Sequence, residues 1–208
     1  KLPQAAALQT KGCDLKILTD SVASAQAIAN FAQTRGIIFK VLIEIDTDDH
    51  RSGIKPDAAS LLDVAKVLAD AGMVIQGVMT HAGSSYDLNT PEALVQMAEQ
   101  ERFGCVHAAQ RLRAAGFSCP VVSVGSTPTA LAATGLDGVS EVRAGVYVFF
   151  DLVMRNVGVC QLDDIALSVL TTVIGHQVEK GWAIVDAGWM AMSRDRGTQK
   201  QVTDYGYG

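Results

Sequence analysis

The sequence predicts an α/β fold: a (β/α)8 TIM-type barrel, incomplete in this chain, followed by the start of a β-rich C-terminal domain. Apolar, β-branched runs alternate with amphipathic helical stretches, which is typical of parallel strands buried on both faces. Glycines fall just past the predicted helices, where a left-handed C-cap is favoured. A doubly wound open sheet is the second interpretation of this alternation. The predicted strands are residues 15–18, 39–45, 73–79, 121–124 and 142–148.

Three long helices separate these strands. They are predicted at residues 21–35, 57–71 and 91–115, and a shorter helix is predicted at 129–133. Thr90 is the expected N-cap of the third helix, with Pro91 at its first position. The expected C-terminal glycines are Gly36, Gly72 and Gly116.

The pattern changes after Asp151. Residues 164–174 and 182–185 are strand-like, and only the short segment 175–181 separates them, without a helix. This spacing predicts an antiparallel hairpin, because parallel strands need a longer crossover connection. We therefore predict two domains, a partial barrel at residues 1–157 and the beginning of a C-terminal β domain at residues 158–208.

Composition excludes several classes of protein. The chain has 208 residues, 49% of them hydrophobic, and a net charge of −5 without a basic run, which argues against nucleic-acid binding. No apolar run approaches the roughly 20 residues that a membrane helix needs. The four cysteines are scattered without a CxxC pair, as in free thiols of a reducing compartment, so we expect a cytoplasmic protein.

The turn at residues 125–128 is the first candidate binding site. Its sequence is Gly125-Ser126-Thr127-Pro128, and it connects a predicted strand to a predicted helix. Backbone N–H groups at the positive start of a helix bind phosphate. A plain helix cap without a ligand is the alternative interpretation.

Polar clusters also follow the other strands, whose ends meet at one face of a parallel barrel. His81 is a candidate general acid or base, because histidine titrates near neutrality; a structural histidine is the alternative. Arg51 offers a cation to an anion or an aromatic ring, unless it pairs within its own charged turn. Near the fifth strand, Gly145 permits close backbone approach, and the Tyr147 hydroxyl could reach a phosphate oxygen or bond to protein.

Taken together and in this order, these segments resemble the D-serine dehydratase/D-threonine aldolase family. The quoted segments are Ile43-Glu44-Ile45-Asp46 with Arg51-Ser52-Gly53, Thr80-His81-Ala82-Gly83, Ser123-Val124-Gly125-Ser126-Thr127-Pro128-Thr129 and Glu141-Val142-Arg143-Ala144-Gly145-Val146-Tyr147. Two later segments resemble the same family's entry into its β domain: Val185-Asp186-Ala187-Gly188-Trp189 and Ser193-Arg194-Asp195-Arg196-Gly197.

The resemblance implies an alanine-racemase-like enzyme of fold type III that uses pyridoxal 5'-phosphate and assembles as a homodimer. It implies that Gly125, Ser126 and Thr127 hold the cofactor phosphate and that Gly145 and Tyr147 close over it. Arg51 would lie near the cofactor ring and His81, the catalytic candidate, near the reacting carbons. A divalent metal (zinc, manganese or magnesium) and a Schiff-base lysine also belong to this family. None of the eight lysines has the expected setting, and the segment that carries the metal ligands is missing, so we expect a longer enzyme.

The reaction implied is that of a lyase acting on a β-hydroxy D-amino acid, through a Schiff base. Metal-assisted loss of the β-hydroxyl and cleavage of the Cα–Cβ bond both stay open. Racemization on the same cofactor is an alternative, and so is a non-catalytic pyridoxal-phosphate-binding protein.

Overall fold

The computed structural model describes residues 1–207, which form a five-stranded parallel sheet, flanking helices and a separate two-stranded sheet. The strands of the large sheet are β1 (Lys16–Thr19), β2 (Lys40–Ile45), β3 (Val74–Thr80), β4 (Val121–Val124) and β5 (Glu141–Val142). The small sheet consists of β6 (Val173–Gln177) and β7 (Trp182–Val185). The helices are α1 (Leu2–Thr10), α2 (Val22–Arg35), α3 (Ser60–Asp70), α4 (Pro91–Ala114), α5 (Thr127–Ala132) and α6 (Leu152–Val157).

The order of strands in the large sheet confirms the predicted barrel architecture. The five strands lie side by side in chain order, and every neighbouring pair is parallel. A doubly wound open sheet instead reverses its strand order at a switch point. Strands that succeed one another without such a reversal form an arc of a (β/α)8 barrel.

The hydrophobic core lies between this sheet and helices α2, α3 and α4. Its largest fully buried side chains include Phe39, Ile43, Leu61, Leu68 and Leu112. Burial of each such side chain contributes about 1.5–3 kcal/mol to the free energy of folding, so the core holds the helices against the sheet. Among residues 1–207, no helix combines the length and the apolar character needed to cross a membrane.

The helix ends match the predicted capping pattern. Thr90 caps α4, its side chain accepting a hydrogen bond from the backbone N–H of Ala93. Gly36 is the left-handed C-cap of α2, with φ 63°. Gly72 and Gly116 directly follow the C-cap residues of α3 and α4, also at positive φ.

The predicted fifth strand, residues 142–148, is wrong in most of its length. Extended pairing ends at Val142, and Val146–Val148 forms a 3-10 turn. Gly145 leaves the extended region, with φ −124° and ψ −50°, and the backbone N–H of Phe150 then donates to the carbonyl of Val146. The β-branched composition favours a strand. After Arg143, however, the backbone forms the hydrogen bonds of this local turn instead of pairing with a neighbouring strand.

The antiparallel hairpin is confirmed, but its first strand is not residues 164–174. The strand begins at Val173 and continues to Gln177, through part of the segment expected to be the turn. Within residues 1–207 the residues before Val173 have no strand partner, and the side chains of Leu167 and Leu170 are exposed. An apolar run alone therefore does not make a strand, since a strand also needs a neighbour for its backbone hydrogen bonds.

A bulge in β3 depends on Gly77. Val41 of β2 pairs with Ile75, but the next residue, Leu42, pairs with Gly77, so one residue of β3 is skipped. Gly77 has φ +150°, and a Cβ there would overlap the carbonyl of Val121 on β4. Only glycine suits this position, because both its conformation and its spacing exclude a side chain.

We expect Gly77→Ala to destabilise the protein by about 2 kcal/mol or more, since β3 and β4 would have to move apart and the backbone would be strained. Chemical denaturation of the purified protein measures this as a lower midpoint. Gly135→Ala is the matched control, because Gly135 is not at positive φ and a Cβ there meets open space. Equal midpoints for the two variants would contradict the role of Gly77.

Candidate functional site

A pocket of about 620 Å³ opens at the carboxyl ends of β3, β4 and β5. Its volume lies within the range of small-molecule sites. The parallel strand order explains its position, because the loops that follow neighbouring strands meet at one face of a barrel. The lining residues are His81, Tyr86, Gly125, Ser126, Thr127, Glu141, Val142, Arg143, Ala144, Gly145 and Val146.

The ends of β4 and β5 lie close together at Gly125. This residue has φ +122°, and a Cβ on it would overlap the backbone of Arg143. The backbone N–H of Arg143 donates to the carbonyl of Val124, which continues the ladder to this point. Glycine at residue 125 therefore permits close approach of the neighbouring strand.

Ser126 is the N-cap of α5, so the helix begins two residues earlier than predicted. Its hydroxyl accepts from the backbone N–H of Thr129, and the Thr129 hydroxyl accepts from the backbone N–H of Ser126 at 2.9 Å. The hydroxyl of Ser85 lies 2.9 Å from that of Ser126. The polar groups of Ser126 are thus already bonded within the protein, which fits the capping alternative at this residue.

Thr127 has the free polar group of the 125–128 turn. The residue is 1% exposed, and its hydroxyl oxygen has no hydrogen-bond partner within the described chain. Gln9 and Thr19 carry the other buried unpartnered side-chain oxygens in residues 1–207, but neither residue lines the pocket. A buried hydroxyl without a partner is costly, and an oxyanion in the pocket would remove that cost.

His81 lies half-buried at the end of β3. Its Nδ1 is 3.3 Å from the carbonyl oxygen of Gly125. A carbonyl can only accept, so the neutral ring carries its proton on Nδ1 and leaves the Nε2 lone pair available. The contact therefore selects the tautomer in which His81 can take up a proton at Nε2.

The surroundings of His81 keep its ring neutral. Burial lowers the pKa of His81, whereas the hydrogen bond to Gly125 raises it. The cations of Arg51 and Arg143 lower the same pKa, and the carboxylate of Glu101 raises it. Because burial is the largest of these effects, the pKa lies below its ordinary value of 6.5.

Arg143 is a pocket residue that the sequence reasoning missed. Its Nε donates to the Ser123 hydroxyl at 2.9 Å, and its Nη2 donates to the carbonyl of Thr80. Burial lowers the pKa of this guanidinium, and the nearby carboxylates of Glu101 and Glu141 oppose that shift. Its position directly after the fifth strand was the available signal, because chemistry in a barrel gathers where strands end.

Tyr86 was also missed. It is half-buried in the 3-10 turn Gly83–Asp87, and its ring centroid lies 6.1 Å from that of His81. Burial raises the pKa of its hydroxyl, the negative charge of Asp151 raises it further, and Arg51 opposes them.

The remaining predicted residues differ in their relation to the pocket. Gly145 lines it. Tyr147 lies in the adjoining turn, but its side chain is 51% exposed and does not line the pocket. Arg51 lies in the exposed loop after β2, outside the pocket lining, although its charge acts on both His81 and Tyr86.

Residues 1–207 place neither a Schiff-base lysine nor a group of metal ligands at the pocket. None of the eight lysines of the chain lines the pocket. Residues 1–207 also contain no group of three His, Cys, Asp or Glu side chains that could hold a metal ion. The residues present suit the phosphate of a cofactor, through Thr127, but not a metal.

Two family models match the chain. The first, described as alanine racemase, N-terminal domain, matches residues 2–153. The second, described as putative serine dehydratase domain, matches residues 166–207. The two matches leave only residues 154–165 between them, close to the domain boundary expected from the change in pattern.

Similar proteins include two dehydratases. The D-threo-3-hydroxyaspartate dehydratase of Delftia sp. (strain HT23) is 68% identical over 209 positions, which cover 100% of this chain and 55% of that protein. The D-serine dehydratase of Dictyostelium discoideum is 29% identical over 88% of this chain and 49% of that protein. The solved structure of the Delftia enzyme superimposes with a TM-score of 0.96 at 69% identity, over 100% of this chain and 54–55% of the compared chains. The chain thus spans about half the length of these relatives.

We expect the imidazole of His81 to titrate below pH 6.5 in the cofactor-free, full-length protein, because burial disfavours its charged form. NMR of protein labelled at histidine Cε1 measures the midpoint, and His81→Asn assigns the resonance. Because the unfolded chain binds this proton more tightly, the stability linked to His81 is fully present above pH 6.5 and is lost as the pH falls towards the folded-state value. A midpoint at or above 6.5 would contradict this assignment.

Proposed function

The chain belongs to the alanine racemase N-terminal domain family, and on that premise we propose that the protein is a pyridoxal-phosphate-dependent lyase acting on a β-hydroxy D-amino acid. The observation that carries the proposal is one pocket with two complementary groups: the buried, unpartnered hydroxyl of Thr127 and the neutral imidazole of His81. The identity of 68% to a D-threo-3-hydroxyaspartate dehydratase favours dehydration over Cα–Cβ cleavage. The resemblance found in the sequence is confirmed by both family models.

Within this proposal, the 125–128 turn holds the cofactor phosphate. Thr127 donates its hydroxyl, Gly125 lines the same space, and Ser126 fixes the turn through its capping bonds. Gly145 borders the same space, and Tyr147 would have to turn inward to contribute its hydroxyl. Arg51 supplies positive charge near the ring through its loop. When bound, the cofactor supplies an electron sink for the Cα of an amino acid.

His81 transfers a proton in the proposed reaction. Its Nδ1–H is fixed by the carbonyl of Gly125, so the ring presents Nε2 in the form that accepts a proton. We assign to Nε2 the uptake of the substrate's Cα proton, whose bonding electrons form the Cα=Cβ double bond, and the delivery of that proton to the β-hydroxyl, which leaves as water. Hydrolysis of the dehydrated product gives a 2-oxo acid and ammonia. Arg143 adds a fixed positive charge on the pocket wall, where a substrate carboxylate needs one.

A divalent metal (zinc, manganese or magnesium) in the full-length enzyme is also part of the proposal, supported by a 69% identical D-threo-3-hydroxyaspartate dehydratase variant whose solved structure is described as the metal-free form. Residues 1–207 offer no ligand cluster for it, so no residue of this chain is assigned to the metal. The division into residues 1–157 and 158–208, the homodimer and the cytoplasmic location are further parts of the proposal. The two family models, which match residues 2–153 and 166–207, support a boundary between them. Size-exclusion chromatography with light scattering tests the dimer, and cell fractionation tests the location.

The direct test is product analysis with the full-length protein loaded with pyridoxal 5'-phosphate. We expect D-threo-3-hydroxyaspartate or D-serine to yield ammonia and a 2-oxo acid in equal amounts. His81→Gln should lower kcat/KM by about 10²–10⁴, the usual contribution of a general acid or base. His107→Gln is the matched control, because His107 lies on α4 outside the pocket and pairs with Asp57.

Other products would contradict the proposal in distinct ways. Glycine with an aldehyde would indicate Cα–Cβ cleavage, and racemized substrate without ammonia would indicate a racemase. Cofactor binding without turnover of any of these amino acids would indicate a binding protein. Unchanged turnover in His81→Gln would remove His81 from the mechanism.

We expect Thr127→Val to weaken binding of pyridoxal 5'-phosphate by roughly 10- to 100-fold, since a hydrogen bond to a charged group contributes about 1.5–3 kcal/mol. Thr127→Ser keeps the hydroxyl and should bind nearly as tightly as the natural protein. Titration of cofactor-free, full-length protein by absorbance measures both affinities. Equal affinity for the Val and Ser variants would show that Thr127 does not hold the phosphate.

A further inference from the structure

Glu101 is a buried carboxylate with no cation at salt-bridge distance among the described residues. It lies in the middle of α4, is 2% exposed and forms no ion pair within the described residues. The other buried residues of α4 are Leu94, Ala98, Gly104, Cys105, Ala108, Ala109 and Leu112. A charged group among such residues is costly, so its presence requires a specific compensating interaction.

The interaction is a hydrogen bond to the loop that carries His81. The Oε1 atom of Glu101 accepts the backbone N–H of Ala82 at 2.8 Å. Ala82 is fully buried and directly follows His81, so this backbone N–H has no access to water. Bonds from a backbone N–H to an ionised acceptor are among the stronger hydrogen bonds in proteins.

His81 is therefore held from two sides. On one side its ring contacts the carbonyl of Gly125 at 3.3 Å, and on the other its backbone is fixed through the bond between Ala82 and Glu101. Because α4 is a 24-residue helix packed into the core, it offers a rigid attachment point. A shift of about 1 Å in a catalytic group can cost roughly 10²-fold in rate, so such an attachment matters for catalysis.

We propose that Glu101 is the positioning residue of the site: it fixes the loop after β3 so that the His81 ring keeps its contact with Gly125 and its Nε2 stays available. The inference rests on the proposed function only where it assigns a proton step to His81. The charged and titratable groups that face His81 are Arg51 from the loop after β2, Glu101 from α4, Arg143 from the end of β5 and Tyr86 from the following turn. Glu101 is the anion among them, so it also opposes the electrostatic effect of the two arginines.

Two variants of the full-length holoenzyme separate the hydrogen bond from the charge. Glu101→Gln keeps an oxygen that can accept from Ala82 but removes the negative charge, whereas Glu101→Ala removes both. We expect Glu101→Ala to lower kcat by about 10- to 100-fold with little change in KM, because the proton-transferring group is misplaced. We expect Glu101→Gln to retain more activity than Glu101→Ala.

The pH dependence distinguishes positioning from simple structural support. Removing an anion near His81 lowers the pKa of the imidazole, so the acidic limb of kcat/KM should move to lower pH in Glu101→Gln. The NMR titration of His81 in cofactor-free protein should move in the same direction. Glu99→Gln is the matched control, because Glu99 lies on the same helix, is exposed and pairs with Arg102.

Three results would overturn the inference. One is an unchanged His81 titration in both Glu101 variants, and another is an unchanged kcat in Glu101→Ala. The third is an equal effect of Glu99→Gln. Failure of the proposed function looks different: His81→Gln would then turn over normally, while Glu101→Gln would still shift the His81 titration.

Discussion

The close backbone contact between Gly125 and Arg143 is the constraint on which the pocket depends. Without a Cβ at residue 125, the end of β4 can lie directly against the end of β5. The carbonyl of the same glycine contacts the ring of His81, which follows β3. One residue thus brings three strand ends together, and the hydroxyl of Thr127, the guanidinium of Arg143 and the imidazole of His81 face a common space because of it.

Burial and charge act in opposite directions within this space. Burial lowers the pKa of both His81 and Arg143, while the buried carboxylate of Glu101 raises the pKa of both. The imidazole stays neutral and the arginine stays charged, because the ordinary pKa of a guanidinium lies far above that of an imidazole. A neutral base next to a permanent cation suits a substrate that is both anionic and a proton donor.

The barrel arc and the strand-end clusters could be predicted from the sequence because they depend on local periodicity and on the geometry of parallel sheets. Glu101 could not, since a glutamate in a long helix is typically on its solvent-exposed side, and only the packing of α4 against the sheet buries it. The sequence also does not predict that Ser126 is bonded within the protein while the Thr127 hydroxyl has no partner. This difference depends on the capping box that Ser126 forms with Thr129. The predicted strand at residues 164–174 is wrong over residues 164–172, because an apolar run does not reveal whether a partner strand lies beside it.

The hydroxyl groups of Ser85, Ser126 and Thr129 have a consequence for communication within the site. Their oxygens lie in series, 2.9 Å apart at each step, and each hydroxyl can both donate and accept. Two opposite orientations of the hydrogen atoms satisfy these distances, and a rotation at one oxygen favours rotation at the next. The orientation of the Ser85 hydroxyl is therefore linked through Ser126 to the capping box that begins α5, by the rotation of hydrogen atoms alone, without movement of the backbone.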